Sequence, residues 1–145
     1  MATKTVSTLI KAVTAQLSAF GIEDPATNAR LLIRQAFRWS ATHQLSNLSK
    51  IAPTDQLPVL ESLVERRINR EPLSYIIGKT EFFKRQFTVD ERVLIPRPES
   101  EQLVVRAIDY VRKCGIENPR VADVGTGSGA IAISIALEMP SAEVF

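Results

Sequence analysis

The sequence predicts two folds in succession: an all-helical bundle, then a β-hairpin linker and the first strand–loop–helix unit of a Rossmann-like α/β domain. Apolar residues recur at helical spacing through the first half of the chain. Residues 82–89 change to partial alternation, which is typical of strands. Residues 120–129 form a short apolar run that ends in a glycine-rich loop. We therefore expect the bundle over 1–75, the hairpin and a proline-rich linker over 76–98, and the start of a ligand-binding domain over 99–145.

Helix signals explain the predicted bundle. Apolar stripes predict helices over residues 5–20, 25–39 and 42–48, and a fourth that begins near residue 55. Gly21 is a natural stop for the first helix. Asp24 and Pro25 supply an N-cap and a first-turn proline for the second. Pro58 is tolerated because it falls in the first turn of the fourth. The short connections favour antiparallel neighbours.

The linker is predicted from alternation and proline. Residues 82–89 alternate in part, and 90–92 are a plausible turn into 93–95, so these segments are expected to form the hairpin. Residues 96–99, Pro-Arg-Pro-Glu, should be stiff and extended, because each proline fixes its own φ and restricts the preceding residue. From Ser100, a helix with one apolar face leads to the glycine-rich loop.

The glycine-rich loop predicts a small-molecule site. The strand before it is expected to be buried through its apolar residues, Val121, Ala122 and Val124. After the loop, residues 130–137 suit a short buried helix that Pro140 stops. In this order of elements, the loop's N–H groups and the helix N-terminus point at whatever lies above the strand's end. Gly125, Gly127 and Gly129 lack a Cβ, so a nucleotide-like cofactor can lie against the main chain.

Two cofactors fit the loop. The string from Gly125 to Ala130 satisfies the loose dinucleotide fingerprint G-x-G-x-x-G/A. S-adenosylmethionine is favoured because Asp123 is placed to face a positively charged methionine end, because Gly129 completes G-x-G-x-G, and because the unit begins only at Arg120, after a separate helical region. A glycine-rich turn without a ligand is the third interpretation. The predicted cofactor-binding residues are Asp123, Gly125, Thr126, Gly127, Ser128 and Gly129.

Composition limits the remaining classes. The 145 residues are 45% hydrophobic and 23% charged, as in soluble globular proteins, and the net charge of +2 does not by itself imply nucleic-acid binding. Cys114 is the only cysteine and His43 the only histidine, so we expect neither an intrachain disulfide nor a metal site. The N-terminus lacks the pattern of a signal peptide, and no apolar run is long enough for a membrane span. A cytoplasmic protein without a membrane partner is expected.

Four segments in order resemble the HemK/PrmC family, which methylates the side-chain amide nitrogen of a glutamine in class 1 peptide-chain release factors. The segments are Arg70–Gly78, Phe82–Phe87, Val93–Glu101 and Asp123–Ala132. The string Leu-Ile-Pro-Arg-Pro-Glu-Ser-Glu, within the third segment, is the most specific of them. The resemblance is close over residues 66–145 and extends to the helical N-terminus in general layout.

The resemblance implies a class I methyltransferase domain in which 125–129 bind S-adenosylmethionine, and a bundle that docks the release factor. Arg97, Pro98 and Glu99 would border the active site; the alternative is a rigid linker with solvated charges. The family's next cofactor contact is an acidic residue at the end of the second strand, and its catalytic segment is Asn-Pro-Pro-Tyr. The chain stops at Phe145, inside the predicted second strand, so we expect the front part of a longer protein, with no catalytic residue and no activity alone.

Other functions stay open on the sequence. A relative that acts on a glutamine of a ribosomal protein, a dinucleotide-binding enzyme and a helical nucleic-acid-binding module each fit part of the pattern. The scattered basic residues speak against the last, since a recognition helix gathers them on one face. The basic run Arg66, Arg67 and Arg70 is interpreted as a solvated helix end.

Overall fold

A computed structural model of the chain describes residues 4–145. The chain divides into two compact units, the first ending at Ile77 and the second spanning Gly78–Phe145. The described part of the first unit is helical, as expected. Its helices are α1 (Val6–Ala19), α2 (Pro25–Phe37), α3 (Ala41–Ser46), α4 (Leu57–Ile68) and α5 (Leu73–Ile77).

Side-chain caps fix where the first three helices begin. The caps are Thr5, Asp24 and Ser40, and each accepts the N–H of the third residue of its helix at 3.1–3.3 Å. Asp24 is the cap expected from the sequence, and Pro25 opens α2 as predicted. The apolar stripes then meet in one core, with Leu17, Leu32 and Ile33 fully buried.

The prediction of a solvated helix end at the basic run of α4 is only partly right. Arg70 is exposed and the Arg66 side chain is 42% exposed, yet all three arginines also donate hydrogen bonds within the first unit. Arg66 donates to Glu71 with its Nε at 2.8 Å from Oε2. Arg67 Nε donates to the Asn28 side chain at 2.8 Å, and the Arg70 guanidinium donates to two carbonyls at the end of α1, at 2.8 and 3.0 Å. Arg67 and Arg70 thus reach α2 and the end of α1, which lie distant in the chain, and no local sequence pattern records such contacts.

The second unit combines two short strand pairs with two helices. Its described elements are β1 (Lys79–Phe82), β2 (Arg85–Thr88), a 3-10 turn (Pro98–Ser100), α6 (Glu101–Lys113), β3 (Arg120–Val121), α7 (Ala130–Glu138) and β4 (Glu143–Val144). β1 and β2 pair antiparallel, and β3 and β4 pair parallel. Phe82 and Phe87 meet edge to face in a core shared with Val104, Ile108 and Ile135.

The hairpin turn lies at Phe83 and Lys84. Residues 90–92 do form the predicted turn, in which the Val93 N–H donates to the Asp90 carbonyl at 3.1 Å, but the hairpin expected across that turn is wrong. Phe82 pairs with Arg85, leaving a two-residue loop, and both loop residues have positive φ, 48° and 60°. This conformation suits the twist of a hairpin and is usually signalled by Asn-Gly or Asp-Gly. Neither pair occurs here, and residues 93–95 form no strand.

The parallel pair confirms the predicted second strand, since Val121 pairs with Val144. The expectation of a buried strand through Ala122 and Val124 is wrong: both are exposed, and Val124 is 95% exposed. The reason is that β3 is two residues long and, among the residues that the structure describes, pairs with β4 alone. α7 begins where predicted, at Ala130, and ends before Pro140.

Candidate cofactor site

The loop between β3 and α7 has the left-handed main chain that its glycines permit. The φ angles of Gly125, Gly127 and Gly129 are 81°, 57° and 76°. Residues with a Cβ are strained in this region, whereas glycine enters it without steric cost. The three glycines therefore define the path of the loop from the end of β3 to the start of α7.

The first two glycines face open space. A Cβ built on Gly125 would meet no atom within 4 Å, and one on Gly127 would meet only the Gly125 carbonyl oxygen, at 3.9 Å. A Cβ on Gly129 would instead lie 3.1 Å from Ile133 Cδ1. Glycine at position 129 thus allows the first turn of α7 to pack closely against the loop. Gly125 and Gly127 leave room for a ligand directly on the main chain.

The start of α7 offers hydrogen-bond donors beside this open space. The Gly129 N–H donates to the Thr126 carbonyl within the loop, at 2.9 Å. Within residues 4–145, no acceptor is found for the N–H groups of Ala130 and Ile131. Free N–H groups at the positive end of a helix dipole suit an anionic group such as a carboxylate or a phosphate.

Asp123 lies at the base of the loop and turns toward the helix. Its N–H donates to the Phe145 carbonyl at 2.9 Å, which extends the parallel pairing by one residue. Its Oδ2 accepts the N–H of Ala132, in the first turn of α7, at 3.2 Å. The carboxylate expected to face a cofactor is therefore in contact with the main chain of α7.

The remaining predicted residues divide between two places. Thr126 is exposed and Ser128 half-buried in the loop itself. Arg97 directly precedes the 3-10 turn that Pro98 and Glu99 begin, without a side-chain hydrogen bond to it, and all three are exposed. Across the part of the chain that the structure describes, no hydrogen bond or ion pair joins Arg97 or Glu99 to the loop. Their place at the active-site border stays a prediction.

Sequence reasoning missed two carboxylates that hold the hairpin in the second unit. Glu101 Oε1, from the first turn of α6, accepts the Phe83 N–H at 2.8 Å. Glu138, at the end of α7, pairs with Arg85 at 2.7 Å. An acidic residue in a first helical turn was a visible signal for Glu101, since it suits the dipole, but the sequence does not identify its partner.

Residues 4–145 contain no group of three or more His, Cys, Asp or Glu side chains that could hold a metal ion. None of the described helices has the length and apolar character needed to span a membrane.

Known proteins match the chain along most of its length. Residues 8–78 match the model of the PrmC N-terminal domain. The chain is 41% identical over 120 residues to the release factor glutamine methyltransferase of Neisseria gonorrhoeae, which covers 83% of this chain and 42% of the relative. It is 36% identical over 142 residues to the enzyme of that name from Rhodopirellula baltica and over 140 residues to that of Vibrio cholerae; each match covers 97% of this chain and 48% of the relative.

These matches define the class first: the relatives are methyltransferases, and the first unit matches a domain found in one family of them. The chain belongs to the HemK/PrmC family, in agreement with the resemblance carried by its motifs. It spans less than half the length of the three relatives named above.

Proposed function

We propose that the chain supplies the substrate-docking bundle and the methyl-donor loop of an enzyme that methylates the side-chain amide of a glutamine in class 1 release factors. The donor is S-adenosylmethionine, and the reaction is cytoplasmic. The observation that carries the proposal is the open, left-handed main chain at Gly125 and Gly127, in a chain similar to release factor glutamine methyltransferases. In this proposal, the second unit opens a Rossmann-like class I methyltransferase domain.

Each loop residue has a distinct role in the proposal. Gly125 and Gly127 allow the donor to lie against the main chain, because no side chain occupies the space above them. The free N–H groups of Ala130 and Ile131 receive the carboxylate of the donor's methionine part. Thr126 and Ser128 offer hydroxyls at the rim of the loop. When bound, S-adenosylmethionine supplies a methyl group activated by its sulfonium.

The acceptor explains why donor binding alone is not enough. The lone pair of an amide nitrogen is delocalised, so the nitrogen is a poor nucleophile, and hydrogen bonds to the amide with close positioning must favour the transfer. In the family this grip belongs to an Asn-Pro-Pro-Tyr segment, which residues 1–145 do not contain. We therefore expect these 145 residues to bind the donor weakly and to leave the release factor unmethylated.

Donor binding is tested by nuclear magnetic resonance titration of the 145-residue chain with S-adenosylmethionine and, separately, with NAD. We expect shifts at residues 124–131 with the first ligand. Gly125→Ala should weaken binding, because its methyl enters the open space as well as straining the main chain. Gly115→Ala is the matched control, since Gly115 also has positive φ, 63°, and free space for a Cβ. Equal loss in both variants, or shifts only with NAD, would contradict the donor site.

The whole reaction is tested with the protein extended past Phe145 to the length of its relatives. Incubated with the donor and a class 1 release factor, it should add one methyl group to a glutamine side chain, detected by peptide mass spectrometry. A release factor with asparagine in place of that glutamine is the control substrate. Methylation of a ribosomal protein and not of the release factor would contradict the proposed substrate and favour the alternative, a glutamine of a ribosomal protein.

A further inference from the structure

The glycine loop cannot cap the helix that follows it. Helices α1, α2 and α3 each begin at a residue whose side chain accepts the N–H of the third helical residue. The N-cap of α7 is Gly129, which has no side chain. A capping residue with a side chain would be strained there, because φ is 76° and its Cβ would lie 3.1 Å from Ile133 Cδ1. The geometry that suits a cofactor thus removes the usual cap.

The side chain of Asp123, at the opposite end of the loop, provides the missing N-cap hydrogen bond to α7. Its Oδ2 accepts the N–H of Ala132, which is the third residue of α7 and so corresponds to the residue capped in each of the first three helices. A carboxylate at this end also suits the helix dipole. Asp123 therefore replaces the cap that Gly129 cannot provide.

The same residue fixes the loop to the sheet. The Asp123 N–H donates to the Phe145 carbonyl, so its main chain is held by the strand pairing while its side chain holds the helix. Between these two anchors, the Gly129 N–H donates a hydrogen bond to the Thr126 carbonyl within the loop. Val124 is almost fully exposed and adds no packing. Asp123 thus links the end of β3 to the start of α7.

We infer that Asp123 is a positioning residue, which holds the glycine loop closed by capping α7 through Ala132 and does not itself bind the methyl donor. The inference deepens the proposed function and rests on it for the donor. It differs from the sequence expectation, in which the charge of Asp123 faces the methionine end. The two roles are separable, because asparagine keeps an acceptor oxygen for Ala132 but carries no charge.

The experiment compares Asp123→Asn and Asp123→Ala in the 145-residue chain, with Asp109→Ala as a control. Asp109 is an exposed carboxylate on α6, in the same unit. Amide hydrogen exchange at Ala132 reports the cap without any ligand. We expect exchange about tenfold faster in Asp123→Ala, and within about threefold of wild type in Asp123→Asn and Asp109→Ala. Titration with S-adenosylmethionine should show about tenfold weaker binding for Asp123→Ala and nearly unchanged binding for Asp123→Asn.

Several outcomes would overturn the inference. Unchanged amide exchange at Ala132 in Asp123→Ala would show that the Asp123 side chain does not cap α7. Equal loss of donor affinity in both Asp123 variants, with Ala132 still protected in Asp123→Asn, would assign the charge to a direct donor contact. If Asp123→Ala unfolds, Asp123→Asn decides alone: retained protection and affinity support the cap, and lost affinity with Ala132 still protected refutes it. If wild type binds no donor, the proposed function fails, while exchange at Ala132 still tests the cap.

Discussion

Replacing Asn28 by alanine tests how the first unit joins the start of α2 to the end of α4. Asn28 is 7% exposed. Its Nδ2 donates to the carbonyls of Glu23 and Asp24 at 3.1 and 3.0 Å, and its Oδ1 accepts from Arg67 Nε at 2.8 Å. Alanine removes all three hydrogen bonds and leaves a charged donor and two carbonyls without these partners.

The expected cost follows from these contacts. Neutral hydrogen bonds contribute about 1 kcal/mol each and one to a charged group somewhat more, so Asn28→Ala should lower the free energy of unfolding by about 3 kcal/mol. Asn28→Asp gives a sharper test. It would keep the acceptor for Arg67 and add an ion pair, but it would face two carbonyl oxygens with a carboxylate. We expect it to be destabilised by about 2 kcal/mol despite the new pair.

The assay is urea unfolding followed by tryptophan fluorescence. Trp39 is the only tryptophan of the chain and lies in the first unit, 5.0 Å from the Phe37 ring and 4.8 Å from the His43 ring between centroids. Asn69→Ala, at an exposed position in the same unit, is the control and should shift the midpoint little. The reasoning is refuted if Asn28→Ala shifts the midpoint no more than Asn69→Ala, or if Asn28→Asp is as stable as wild type.

Three further predictions concern single contacts. Ser134 is fully buried and its hydroxyl has no partner in the described chain, so Ser134→Ala should stabilise α7 by about 1 kcal/mol, measured by amide exchange; a loss of protection would argue against this. Glu101→Ala should speed amide exchange at Phe83 about tenfold, whereas Glu101→Gln, which keeps the acceptor, should not. The hydrogen bond from Arg66 lowers the pKa of Glu71 below its usual 4.5. The ion pair therefore stabilises the fold fully above pH 4.5, and this contribution is lost as the pH falls through the lowered pKa. Glu71→Gln should make the stability, followed by tryptophan fluorescence, less dependent on pH in this range.

Periodicity and cap signals predicted the helical half of the chain well. Asp24 and Pro25 identified the start of α2, and the apolar stripe of α1 identified a buried face. Such signals succeed because they involve residues within one or two helical turns of each other. The Phe83 and Lys84 turn was missed for a related reason: its positive φ angles are imposed by strand pairing, not by residues that prefer them.

Apolar pattern was a weaker guide in the second half. Helix α7 is apolar on all sides and was expected to be buried, yet Ile133 and Leu137 are 45% and 57% exposed. A pattern records which residues favour burial. It does not record whether the elements that would cover them lie within the residues considered. For the same reason, the pattern did not foresee the exposure of Val124.

The contacts that sequence reasoning missed have one property in common. Arg67 with Asn28, Glu101 with Phe83 and Asp123 with Ala132 are separated by 39, 18 and 9 residues along the chain. Each satisfies polar groups at a helix end or a tight turn, where the main chain leaves donors or acceptors without local partners. The sequence therefore indicates where polar groups need a hydrogen-bond partner, but it does not identify the residue that provides it. If water could replace these partners equally well, the alanine variants of Asn28, Glu101 and Asp123 would be as stable and as protected from exchange as wild type. A measurable loss of stability or protection in each would show that long-range capping, together with the apolar core, stabilises this fold.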